Sequence, residues 1–207
     1  MRRNHSYYVL FAGVNGAGKT TLFRSGLWQH GAINESLPRV NTDEILVAHG
    51  WDWNSQAAQI EAGKEAIARI KEHFASADSF CQETTLAGKS IVRNINNAKE
   101  QGYYIVIYFV GLEDPQIANE RIEHRGSLGG HVVDPSLVSR RYNAALNNFL
   151  QIVDLCNEAY LFDNTTLLKL CARFEFGELA FYNEDFPQPE WVVSLLDQMG
   201  FEEAPFP

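Results

Sequence analysis

Gly13, Gly18, Lys19 and Thr20 satisfy the pattern G-x-x-x-x-G-K-[ST], with Val14, Asn15, Gly16 and Ala17 filling the gap. Glycines allow the backbone to turn with positive φ, so that successive N–H groups point inward and cradle an anion at the start of a helix. A lysine on its long stem can then reach a transferable phosphate, and a threonine hydroxyl is suited to ligate a magnesium ion. Two carboxylates lie further on. Asp43 follows the short extended stretch Pro38-Arg39-Val40-Asn41, and Glu83 stands in Ser79-Phe80-Cys81-Gln82-Glu83-Thr84-Thr85. In an α/β sheet, ligands gather at the carboxyl ends of the strands, where both residues are expected. A carboxylate near a phosphate can accept a proton from an attacking hydroxyl or orient it. The alternative for Asp43 is that it, or Thr42, caps the helix beginning at Glu44. Glu83 within a buried sheet would carry a heavy desolvation cost unless paired or near a metal, which favours a site role. Thr84 and Thr85 could bond substrate or cap the helix that follows.

The cations fall in a third cluster. Arg121 and Arg125, four residues apart, share a helix face, and Arg140 and Arg141 follow the glycine-rich segment Gly126-Ser127-Leu128-Gly129-Gly130-His131. Glycines flanked by arginines suit a mobile lid over phosphates, spanning about residues 121–141, because a guanidinium can hold phosphoryl oxygens with two parallel bonds. Of the six histidines only His131, within that lid, is a site candidate. Trp51 and Trp53 could wall a substrate ring, although packing is the commoner use of such residues.

These residues need a scaffold, and the hydrophobic pattern supplies one. Tyr7 to Phe11 reads as the strand before the loop, and Tyr103 to Val110 as a central strand covered on both faces. Helical spacing marks Ser55 to Phe74, through Ile60, Ile67, Ile70 and Phe74, and Lys89 to Gln101, through Ile91, Ile95 and Ala98. Asp114 with Pro115 opens the arginine helix. A further helix runs from Pro135 towards Cys156 with Val138, Tyr142, Ala145, Phe149 and Val153 inward. Ala159 to Phe162 is a strand ending in Asp163-Asn164, at an edge where a nucleotide base often lies. A small hairpin around Gly177 and a helix bearing Trp191, Leu195 and Met199 complete the pattern. The fold class is α/β, with a mainly parallel central sheet between two helical layers.

The 207 residues suffice for one domain with a substantial core. A net charge of −9 argues against a broad nucleic-acid-binding surface, which needs many cations. No apolar run is long enough to span a bilayer, and the first residues lack a signal-peptide pattern, so a cytoplasmic location without membrane attachment is expected. Cys81, Cys156 and Cys171 form no C-x-x-C pair and are expected as buried reduced thiols.

Taken in order, G-V-N-G-A-G-K-T-T (Gly13 to Thr21), N-T-D-E-I (Asn41 to Ile45), E-T-T-L-A-G (Glu83 to Gly88), the block from Arg121 to Tyr142, and Asp163-Asn164 make the chain resemble the zeta toxin family of P-loop kinases. The resemblance covers Tyr7 to Asn164 and implies a P-loop kinase-like three-layer sandwich. It further implies an ATP- and magnesium-dependent kinase whose acceptor is a hydroxyl of UDP-N-acetylglucosamine or a related UDP-sugar. On that pattern Asp43 is the base, and Lys19 and Thr20 are the phosphate and magnesium residues. Glu83 with Thr84 or Thr85 binds the acceptor, Arg121, Arg125 and Arg140 hold phosphates, and Gly13 to Thr21 with Asn164 hold the nucleotide. The lid reads Gly-His-Val-Val-Asp-Pro, longer than in many relatives. Many family members are toxins held by a small antitoxin, which makes such a protein an expected partner. Two other readings stay open: a nucleotide-dependent switch acting through a protein partner, and a kinase for another hydroxyl acceptor.

Overall fold

In the computed structural model, which describes residues 5–127 and 133–201, the two expected core strands lie side by side at the centre of one sheet. The strands are β1 (Tyr7–Ala12), β2 (Arg39–Val40), β3 (Phe80–Thr84), β4 (Tyr104–Gly111), β5 (Glu158–Asp163), β6 (Lys169–Glu175) and β7 (Glu178–Tyr182). The helices are α1 (Lys19–Ser25), α2 (Thr42–His49), α3 (Gln56–Ser76), α4 (Lys89–Glu100), α5 (Pro115–Ser127), α6 (Pro135–Ile152) and α7 (Glu190–Gln198). The strand order is β2-β3-β1-β4-β5-β6-β7. The first five are parallel, and the last two add to the edge as an antiparallel hairpin.

Parity along the strands sorts the side chains into layers. Phe11 and Tyr108, partners in the β1–β4 register, stack on one face and meet Phe23 of α1 and Trp28 beyond it. Tyr8 and Phe109 point the other way, to Phe74 of α3, and to Phe149 of α6 and Trp191 of α7. Both faces are therefore covered, which explains why β4 shows no polar alternation. Each such ring, fully withdrawn from water, contributes about 1.5–3 kcal/mol before the entropic cost of ordering it.

The order of strands brings the ends of β1, β2 and β3 together. Parallel pairing aligns Ala12 with Thr84 and Val40 with Gln82, so the segments leaving these strands emerge at one edge of the sheet.

One expectation changes. On α3 the inward row is Ala62, Ala66, Ile70 and Phe74, whereas Ile60 and Ile67 are more than half exposed. Alanine at two of four inward positions accompanies the packing of α2 on α3. The arginine helix takes in Gly126 and runs through Ser127. The expected hairpin around Gly177 is present: its β6 continues the main sheet through β5, and its tight turn places Phe176 and Gly177 at φ 54° and 85°. Positive φ at both central residues gives the twist that a two-residue hairpin requires. Cys81, Cys156 and Cys171 are buried and unpaired, and burial pushes each thiol up to about 12. No helix among the described residues is long and apolar enough to cross a membrane.

Candidate active site

The loop between β1 and α1 is shaped by what stands close to it. Gly13 has φ 136° and packs against the Val110 carbonyl, and Gly18 has φ 108° and packs against the Asn164 amide. A Cβ at either position would collide with those groups, so both the left-handed backbone and the close approach demand glycine. Asn164 donates from Nδ2 to the Ala17 carbonyl at 2.7 Å, and its own N–H reaches Gly111 at 3.1 Å. The loop is thus clamped from the end of β5. Arg121 braces it as well, donating to the Asn164 carbonyl at 2.8 Å and to Thr165 at 3.1 Å, with Gly16 at 3.5 Å.

Lys19 begins α1 with its side chain folded back over the loop. Its Nζ donates to Gly13 at 2.8 Å and Val14 at 3.0 Å and stands 3.9 Å from Glu83 Oε1. Burial pushes the ammonium's pKa down. Glu83 and Asp43 oppose that shift, and Arg125 and Arg141 add to it. A lysine short of solvation and crowded by cations is primed to gain from an arriving anion.

The two carboxylates reach the loop from neighbouring strands. The cap of α2 is Asn41, whose Oδ1 accepts the Asp43 N–H at 2.8 Å, and Asp43 lines the cavity. The capping role considered for Asp43 therefore falls to its neighbour. Asn41 also donates from Nδ2 to Glu83 Oε2 at 2.9 Å, so one buried amide fixes the helix bearing Asp43 and the carboxylate on β3. Arg39 holds the same Glu83 oxygen and donates to Glu44 at 2.6 Å, its guanidinium lying 3.9 Å over the Phe23 ring.

Around these groups lies a cavity of about 940 Å³. It takes in Asn15, Gly16, Gly18, Lys19, Thr20 and Thr21 of the loop and helix, both carboxylates, Arg121, Arg125 and Asn164. Gly13 and Ala17 shape the loop without lining the cavity, and the Ala17 N–H is used by Val14 at 3.1 Å. Thr84 and Thr85 are not in the wall, and the Thr84 hydroxyl accepts the Leu86 N–H at 3.0 Å as a turn residue. Arg140 faces solvent, whereas Arg141 reaches in and donates to Asn15 Oδ1 at 2.7 Å. The phase of α6 accounts for this, because Arg141 is three residues after buried Val138 and four before buried Ala145, while Arg140 is turned away. Gly129, Gly130 and His131 lie outside the described residues.

Four further residues that motif and spacing did not assign to the wall, Glu120, Ile122, His124 and Val133, belong to it. Glu120 and His124 share the α5 face with Arg121 and Arg125, a periodicity that marks them too. Of the two tryptophans, Trp53 lines the cavity and Trp51 stacks on His49 at 4.2 Å. Asp163, next to the clamp, has a structural role, accepting from the Trp191 indole at 3.0 Å and from Thr165 at 2.7 Å.

The zeta toxin family model matches residues 1–183. A protein of Haemophilus influenzae is 32% identical over 139 residues, which is 65% of this chain and 91% of that protein. Among solved structures, the PezAT chromosomal toxin–antitoxin system of Streptococcus pneumoniae aligns with a TM-score of 0.58 at 13% identity, over 98% of this chain and 81% of that one. The complex of AvrRxo1-ORF1 and ORF2 with ATP aligns with a TM-score of 0.64 at 16% identity, over 94% of this chain and 63% of that one. At these identities the structural likeness establishes a common fold.

Proposed function

The chain belongs to the zeta toxin family, and on that premise we propose that it is an ATP-dependent kinase that phosphorylates a hydroxyl of a small molecule, a UDP-amino sugar such as UDP-N-acetylglucosamine. The observation that carries this reading is the meeting of Lys19, Thr20, Asp43, Glu83 and two arginines in one cavity. A switch needs the loop and lysine; carboxylates aimed at the same space suit a second substrate with a proton to give up.

In the proposed reaction the loop and Lys19 hold the triphosphate, and Asp43 orients the acceptor hydroxyl and takes its proton. The acceptor oxygen bonds to the γ-phosphorus as the bond from that phosphorus to the bridging β-oxygen breaks, leaving ADP. Arg125 and Arg141 add positive charge near Lys19, where negative charge spreads in the transition state. Thr20 lines the same cavity as the two carboxylates, and its hydroxyl is a hard oxygen donor of the kind that suits magnesium, which would neutralise phosphate charge when bound. Glu83 and Trp53 are the groups placed to hold the acceptor. An antitoxin partner and a cytoplasmic setting, where ATP is abundant, belong to the same proposal.

Incubation with labelled ATP and a panel of UDP-sugars, free sugars and nucleosides tests it. A phosphorylated UDP-sugar is the expected product; capture of a partner protein with no phosphorylated acceptor would favour the switch. Arg141→Ala should lower turnover by about 10- to 100-fold, as loss of a charge-assisted phosphate contact does, and Arg140→Ala should cost far less. Equal losses in kcat would return Arg140 to the site.

A further inference from the structure

Glu83 is shared between two cations. Arg39 and Asn41 hold its Oε2, whereas its Oε1 stands 3.9 Å from Lys19, close enough for attraction and too far for a hydrogen bond. The side chains of Lys19, Arg39 and Glu83 are 8%, 10% and 12% exposed, so their mutual forces are poorly screened by water or salt. Lys19 spends two of its three N–H bonds on the Gly13 and Val14 carbonyls. The third is the one a phosphate oxygen can use, and it is also the one Glu83 would take if it moved about 1 Å closer.

We infer that Arg39 is a positioning residue that holds Glu83 off Lys19 and so keeps the loop lysine open to nucleotide. Arg39 stands behind the cavity wall rather than in it. It has further partners in Glu44 at 2.6 Å and the Phe23 ring at 3.9 Å, so its own position does not depend on Glu83 alone. Without that anchor, the buried carboxylate is left with Asn41 and one cation. The closer ion pair then competes with ATP for the lysine. The inference rests on Lys19 being the phosphate-binding lysine of the proposed reading and is independent of the acceptor.

Calorimetric titration of the full chain with magnesium and ATP, without acceptor, tests it by a double-mutant cycle. Arg39→Ala should weaken ATP binding about tenfold, as expected for coupled buried charges. In a Glu83→Gln background, where no carboxylate remains to be restrained, the same substitution should change affinity by less than about twofold. Unchanged affinity in Arg39→Ala, or an equal loss in both backgrounds, would overturn the inference. If circular dichroism shows Arg39→Ala to be unfolded, Arg39→Lys serves in its place, with a several-fold loss expected in the native background and none in the Glu83→Gln background. A kinase reading that fails shows itself separately, as an acceptor panel without product.

Discussion

Asp43→Ala leaves a protein that still binds ATP but turns over about 10²- to 10⁴-fold more slowly, the range expected for loss of a positioned general base. The split follows from the architecture. Asp43 enters the cavity from the first turn of α2, and the backbone there is capped by Asn41 rather than by the aspartate itself. Removing the carboxylate therefore spares the helix, and the loop, Lys19 and Asn164 keep their bonds to one another. Isothermal titration with ATP beside a coupled assay for ADP separates the two effects. Retained kcat would remove Asp43 from the chemistry.

Lys19→Ala should lose both properties together, with ATP affinity falling on the order of a hundredfold and turnover falling with it, as loss of a buried charge contact does. The ammonium is desolvated, and Arg125 and Arg141 press on it, so much of its stabilisation is to be gained from an anionic ligand. The variant should fold, because Glu83 keeps Arg39 and Asn41 as partners and no uncompensated buried carboxylate results. Thermal melts with and without ATP report on this directly: the wild type should gain stability from the ligand and the variant should gain little. An equal ligand-induced shift in both would remove Lys19 from the phosphate site.

The parts of the site written in neighbouring residues were legible in the sequence, and the parts made by distant ones were not. The loop announces itself because four residue types at fixed spacing carry the geometry locally. Asp43 is marked by its place just after a short extended stretch, at the edge where ligands gather, and Glu83 by the cost of a carboxylate within a buried strand. Arg39 gives no such signal, since its meaning comes from a partner 44 residues away. Choosing between Arg140 and Arg141 required the rotational phase of α6, which the inward positions Val138 and Ala145 contain but the resemblance alone did not supply. In α3, the spacing of the apolar residues marks Ile70 and Phe74 correctly as inward but not Ile60 and Ile67, whose places on the inward row are held by Ala62 and Ala66. After Glu83, the Thr84 hydroxyl satisfies its own turn at Leu86, a local use that residue type alone does not separate from ligand binding.

The clamp of Asn164 on Ala17 joins residues 147 positions apart, and the aspartate beside Asn164 is itself held by Trp191 of α7. On a ribosome the loop is made early, yet its brace and the helix that steadies the brace emerge only much later. Until those later segments are in place, the glycine loop lacks the clamp that the folded chain gives it.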